Sequence, residues 1–147
     1  MATQTSELDA PSPTSQNIGD IASLVGRVLI SALFLLSGFS KIAAPAATIG
    51  YIGSARLPLP SLGFAIAVAI EIPVSLALVL GYRARVAAAL LAVFSIAAAI
   101  AFHSNLSDQN QFVHFLKNVA IAGGLLQILA FGGGRFSLDA RRARRAN

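Results

Sequence analysis

Four long apolar segments separated by short polar stretches make up most of the chain. They cover residues 21–43, 61–80, 83–103 and 112–131. An α-helix rises ~1.5 Å per residue, so about twenty residues reach across the ~30 Å hydrocarbon core of a bilayer. Each segment is therefore long enough to cross a membrane as one helix. The pattern predicts an all-α fold, a transmembrane four-helix bundle.

The polar flanks divide the chain into a membrane domain and two tails. Residues 1–20 are rich in Ser, Thr, Pro and Gln and have no apolar periodicity, which predicts a disordered N-terminal tail. Residues 21–135 are predicted to form a single four-span domain, whose outer loops are residues 44–60 and 104–111. Residues 136–147 form a basic C-terminal tail.

The basic residues predict the orientation of these spans. Four spans place both termini on one side, and eight of the eleven basic residues fall at that end: Arg27, Arg83, Arg85, Arg135, Arg141, Arg142, Arg144 and Arg145. Cytoplasmic segments of membrane proteins carry the excess of Lys and Arg. We therefore expect a multi-pass protein with both termini in the cytoplasm.

Composition narrows the class of protein further. Only 12% of the residues are charged, about half the roughly 25% of a soluble domain, and the stretch 86–102 carries no charge. A soluble bundle with very apolar helices is thus a poor alternative. The absence of cysteine excludes thiol redox chemistry and thiolate metal sites. The net charge is +5, and four arginines lie in the last seven positions. This basic tail predicts contact with anionic lipids rather than with nucleic acid, and a topology signal is an equally good interpretation.

One acidic residue, Glu71, lies near the middle of the second apolar segment. A buried carboxylate costs several kcal/mol unless it is paired or protonated, so a partner is expected. Arg27 and Glu71 differ in depth by only ~5 Å when residues are counted from the cytoplasmic ends of their spans, and Arg27 is therefore the predicted partner. The pair is either a clamp that fixes helix register or part of a site that binds a ligand or relays a proton.

A second polar group lies near the opposite boundary of the spans. It consists of Lys41, His103, His114, Lys117 and Asn118. These residues are predicted to form a positively charged mouth above Glu71. The alternative is that the lysines extend to the interface and the histidines are solvated, without a joint function.

Several short motifs, in a fixed order, resemble the DoxX family of small bacterial membrane proteins. They are Gly26-Arg27, the run Leu-Phe-Leu-Leu-Ser-Gly before Lys41, Ala-Ile-Glu71-Ile-Pro, Leu-Gly-Tyr-Arg-Ala-Arg, and Phe-Leu-Lys117-Asn118. The resemblance extends over residues 21–139. It implies a four-helix protein of the bacterial inner membrane whose family positions fall on Arg27, Gly38, Lys41, Glu71, Lys117 and Asn118.

The resemblance also implies a set of functions. Members of the family have been associated with quinone-linked sulfur oxidation and with membrane oxidoreductase complexes that handle oxidative stress. We therefore expect an accessory subunit of a redox complex that holds a quinone-like ligand, with these candidate binding residues: Arg27, Lys41, Glu71, His103, Lys117 and Asn118. Two alternatives stay open, namely a small-solute or proton transporter, which would have to form a homo-oligomer, and a scaffold without catalysis.

Overall fold

The computed structural model describes residues 13–146 of the chain. Through them run seven helices: α1 (Pro13–Ala43), α2 (Pro45–Ser54), α3 (Pro60–Glu71), α4 (Pro73–Leu80), α5 (Ala84–Phe102), α6 (Gln109–Phe131) and α7 (Leu138–Ala146). Within these residues, four segments are long and apolar enough to cross a membrane, namely α1, α3 together with α4, α5, and α6. The predicted all-α fold with four spans is confirmed.

The first helix begins earlier than the sequence suggests. Residues 13–20, which were predicted to be disordered, form the first turns of α1, with Pro13 at a helix start where its missing N–H costs nothing. Asp20 on these turns accepts a hydrogen bond from the Arg135 backbone N–H at 3.0 Å. The rest of the predicted N-terminal tail, residues 1–12, lies outside the described residues.

The predicted outer loop at residues 44–60 contains a helix, α2. Pro45 begins it directly after the end of α1. Ile52 is buried, and the ring of Tyr51 stacks on that of Phe102 with centroids 5.2 Å apart. Because Phe102 ends α5, this short helix packs over one end of the bundle.

The second span is broken just after Glu71. Pro73 has no N–H, so the helical hydrogen bond to the Ala69 carbonyl is lost at this point. The helix α3 therefore ends at Glu71 and α4 begins at Pro73, with Ile72 between them. Glu71 thus lies where the second span is interrupted, although Ile72 and Leu76 keep their helical hydrogen bonds to the carbonyls of Val68 and Ile72.

Small side chains hold the bundle together on its inner side. On α5 a row of small residues three or four positions apart, Ala88, Ala92, Ser95 and Ala99, is buried. Small residues in such rows allow membrane helices to approach closely. Many large apolar side chains point outward instead, including Leu36, Val93 and Phe131 at 72%, 71% and 80% exposure. An apolar exterior of this kind is suited to lipid.

Candidate functional site

Glu71 is paired with Lys41. The Nζ of Lys41 lies 2.9 Å from Oε1 and 2.9 Å from Oε2 of the carboxylate, which is almost completely buried. The hydroxyl of Ser37 donates to Oε1 at 3.1 Å and accepts from Lys41 Nζ at 2.7 Å. Three side chains therefore form a closed polar cluster, and its net charge is zero.

The predicted ion pair between Arg27 and Glu71 is wrong. Arg27 is fully buried, but its guanidinium donates to the carbonyls of Leu78 and Val79 at 3.1 and 2.8 Å and to that of Phe136 at 3.1 Å. The first two carbonyls end α4, where a helix leaves its last acceptors unpaired. Arg27 thus caps α4 and ties the C-terminal segment to it.

The error has a geometric cause. The predicted depths of Arg27 and Glu71 were counted from the cytoplasmic ends of their spans. This count assumed that residue 21 and Leu80 lie at the same depth in the membrane. In fact α1 continues beyond this level to Pro13, and Arg27 lies opposite Leu78 and Val79. Glu71 is seven residues from Leu78 along the second span, so it lies roughly 10 Å deeper than Arg27 at ~1.5 Å per residue. Lys41, which the sequence placed at the opposite boundary, comes within reach of the carboxylate instead.

Close contact between two helices buries the carboxylate. A Cβ added at Gly38 of α1 would lie 2.7 Å from Cγ1 of Ile72 and 3.2 Å from Cβ of Glu71. Because Gly38 has no side chain, the backbone of α1 can pack directly against Glu71 and Ile72, where α3 ends and α4 begins. On the same side of α1, Arg27, Ser31, Phe34 and Gly38 recur three or four positions apart and are buried, and Lys41, three positions further on, is partly buried.

A cavity of about 730 Å³ lies beside this cluster. The polar side chains of its wall are those of Lys41, Glu71, Ser37, Ser95, Asn118, His103, Thr48 and Tyr51. The remaining wall is largely aliphatic and aromatic, with Phe34, Phe94 and Ile66 among its residues. Side chains of α2 also line the cavity, so the helix that the sequence did not predict forms part of the site.

The predicted mouth is only partly assembled. His103 lines the cavity and its ring stacks on that of His114, with centroids 5.0 Å apart. Asn118 also lines the cavity, where its Oδ1 accepts from the hydroxyl of Ser95 at 3.1 Å. Lys117 does not line it, because its Nζ lies 3.0 Å from Nδ1 of His114 on the exposed side.

Hydrogen bonds around His103 determine what it offers a ligand. Its Nδ1 lies 2.8 Å from Oε1 of Gln111. An amide oxygen only accepts hydrogen bonds, so Nδ1 is the donor in this contact. In the neutral ring Nε2 is then an acceptor available to a hydroxyl or to water.

The C-terminal segment completes the opposite end of the bundle. Both carboxylate oxygens of Asp139 accept hydrogen bonds at 2.8 Å, from the backbone N–H groups of Arg83 and Ala84 at the start of α5. The N–H of Asp139 donates to the Gly81 carbonyl at 3.0 Å. A residue more than fifty positions away therefore caps α5, and neither spacing nor periodicity signals this contact.

These features define a class, a small four-span membrane protein with a polar cluster and an adjoining cavity between its helices. The family model described as DoxX matches residues 22–104, more than half of the chain. The chain belongs to the DoxX family. The matched region includes Arg27, Lys41, Glu71 and His103, and ends before Lys117 and Asn118.

Two curated relatives extend the match over most of the chain. Inner membrane protein YqjF of Escherichia coli strain K12 is 31% identical over 124 residues, which cover 84% of this chain and 94% of the relative. Inner membrane protein YphA of the same strain is 32% identical over 123 residues, which cover 80% and 88%. No solved structure matches the chain.

Proposed function

We propose that this protein binds a small amphiphilic ligand of the quinone class in the cavity beside Glu71, as an accessory subunit of a membrane redox complex. One observation carries the proposal. An apolar cavity of about 730 Å³ meets a buried cluster of hydrogen-bonding side chains. Ligand sites in proteins typically have 300–1,000 Å³ of volume, apolar walls and a few placed polar groups.

The chemistry of the lining fits such a ligand. Phe34 and Phe94 pack against each other, with their ring centroids 6.4 Å apart. The apolar ring of a ligand would therefore lie alongside this pair. Carbonyl oxygens need donors, and the amide of Asn118 has one N–H left after donating to the His114 carbonyl at 3.0 Å. A ligand hydroxyl has an acceptor in Nε2 of His103.

A redox role requires a carrier of electrons other than a thiol. The chain has no cysteine, so the electrons would be held by the bound quinone or by a partner protein in the membrane. This role rests on the likeness between the cavity and a quinone site and on the family resemblance. The protein itself supplies binding and orientation in this proposal.

We further propose that the protein lies in the bacterial inner membrane, as its two relatives do by name, with the Arg27 end in the cytoplasm. Arg141, Arg142, Arg144 and Arg145 on α7 are exposed at that end. There they would face anionic lipid headgroups, and each arginine would contribute about 1 kcal/mol to binding close to the surface.

Single cysteines in an otherwise cysteine-free chain test the orientation. A membrane-impermeant maleimide should label Ser107→Cys in intact spheroplasts and leave Ala143→Cys unlabelled. The reverse result contradicts it.

Filling the cavity tests the binding proposal. Ala98 lines the cavity on α5, and Ala89 lies outside it on the same helix at similar burial. We expect short-chain ubiquinone to raise the melting temperature of the wild type and of Ala89→Leu, because a ligand that binds only the folded state stabilises it. Ala98→Leu should lose this shift. An equal shift in both variants, or no shift in the wild type, contradicts the proposal.

A further inference from the structure

Three buried polar atoms have no polar partner among the described residues, and a fourth, Oε2 of Glu71, has only the Lys41 ammonium at 2.9 Å; all four lie where α1 packs on α3 and α4. They are Oε2 of Glu71, Oγ of Ser75, Oγ of Ser31 and Nε of Arg27. Ser31 and Ser75 are completely buried. Polar groups buried in folded proteins are almost always hydrogen-bonded, to protein or to ordered water.

The register of the two helices puts these atoms in a row. Arg27 is level with Leu78 and Val79, and Gly38 is level with Glu71 and Ile72. The helices run antiparallel between these two levels, so Ser31 and Ser75 face each other at an intermediate level. Glu71 to Ser75, and Ser31 to Arg27, are each one helical turn, about 6 Å at ~1.5 Å per residue.

The two hydroxyls differ from other hydroxyls in the protein. Ser40, Thr48 and Ser54 lie on exposed helix surfaces and donate to carbonyls three or four residues back in their own helix. This is the usual way for such a side chain to be satisfied within a helix. Ser31 and Ser75 make no such bond, so their hydroxyls are left for a partner between the helices.

We propose that this row binds a chain of water molecules between α1 and α4, from the Glu71 carboxylate to the Arg27 guanidinium. Buried water typically makes about three hydrogen bonds to polar groups that are otherwise unsatisfied. The row offers such groups at both ends and in the middle. Of the four residues of the row, only Glu71 also lines the ligand cavity, and the ligand of the row is water.

The charge of Arg27 determines what the chain of water can carry. A guanidinium keeps its positive charge in proteins and opposes the passage of cations through a narrow polar path. The water therefore solvates Oε2 of Glu71 and does not form a route for cations. This hydration compensates for part of the cost of burying a carboxylate whose Oε2 has only the Lys41 ammonium as a polar partner.

Radiolytic hydroxyl labelling tests the proposal without any ligand in the cavity. Leu78, Leu91 and Leu125 are all completely buried, but only Leu78 lies one turn from the row, on the same helix as Ser75. Bulk radicals do not reach such side chains, whereas radicals formed from a bound water do. We expect Leu78 of the reconstituted full chain to be labelled several-fold faster than Leu91 and Leu125.

Two variants complete the test. In Ser31→Ala/Ser75→Ala the labelling of Leu78 should fall to the level of Leu91, and in Ser40→Ala it should stay at the wild-type level. Equal labelling of the three leucines in the wild type overturns the proposal, even if the double variant does not fold. Undiminished labelling of Leu78 in a folded double variant also overturns it. Neither result depends on whether a quinone binds.

Discussion

The helix α1 carries two cationic side chains on its inner side, and the two ends of the bundle use them differently. At one end, Arg27 donates to three backbone carbonyls, from α4 and from the C-terminal segment. At the other end, Lys41 bonds to the side chains of Ser37 and Glu71 at the wall of a cavity. The first arrangement joins chain segments, whereas the second exposes a polar cluster to a ligand-sized space.

The chemistry of the two cations suits these roles. A guanidinium is planar with five donors in a fixed arrangement, and can serve several carbonyls at once. An ammonium is a compact charge on a flexible stem, so it can shift between partners when a ligand enters. We infer that the Arg27 end is structural and that function lies at the Lys41 end, and the following predictions test this division.

Replacing Arg27 should have the largest effect. Arg27→Met leaves three carbonyls without their donor, and each hydrogen bond to a charged group contributes about 1.5–3 kcal/mol. We expect a loss of about 5 kcal/mol in folding free energy, seen as a low yield of monodisperse protein in detergent. Arg27→Lys should recover only part of it, because an ammonium cannot reach all three carbonyls. A stable Arg27→Met protein would refute a structural role for this end.

Replacing Lys41 should have the next largest effect on stability. Lys41→Met leaves the Glu71 carboxylate buried without a counterion, which costs about 3 kcal/mol when one partner of a buried pair is removed. Thermal unfolding in detergent measures the loss. Glu71→Gln should cost less, because a neutral amide still accepts from Ser37 and leaves the partly exposed Lys41 in contact with solvent.

The double variant Lys41→Met/Glu71→Leu separates a clamp from a binding site. Apolar replacement of both partners is often neutral for stability, so we expect unfolding near the wild-type temperature. The thermal shift produced by short-chain ubiquinone should nevertheless disappear. If the double variant is both stable and fully able to bind the quinone, the pair is only a clamp.

Replacing Asp139 should loosen the attachment of the C-terminal segment, with a smaller loss of folding free energy than the changes at Arg27 and Lys41. Asp139→Ala removes the cap of α5, and a lost cap costs about 1 kcal/mol. Asp108 provides the matched control, because it caps α6 within its own helix by accepting from the Gln111 N–H at 2.9 Å. We expect a similar loss of stability in Asp108→Ala, but faster proteolysis after residue 134 only in Asp139→Ala. Equal proteolysis of the two would show that Asp139 does not hold the segment.

Sequence patterns predicted the four spans, because the length of an apolar segment is a local property. They could not predict which polar residues meet. The partner of Glu71 depends on the relative shift of α1 and α3, and this shift follows from Gly38 and from the extension of α1 to Pro13. Residues 44–60 were predicted to be a loop, but proline also begins helices, and α2 begins at Pro45. The cap by Asp139 is a tertiary contact without any local signal.

Replacing Lys117 should have the smallest effect on stability and ligand binding. It tests whether the functional site at the Lys41 end extends beyond the cavity. The sequence grouped Lys117 with Lys41 and His103, but its side chain contacts His114 on the exposed surface and does not line the cavity. Exposed substitutions usually change stability by less than about 0.5 kcal/mol. Lys117→Gln should therefore unfold at the wild-type temperature and keep the quinone-induced shift. His103→Gln is the comparison, since this residue lines the cavity, and it should reduce the shift while leaving the fold intact. If Lys117→Gln loses quinone binding and His103→Gln keeps it, the functional site lies on the surface of α6 and outside the cavity.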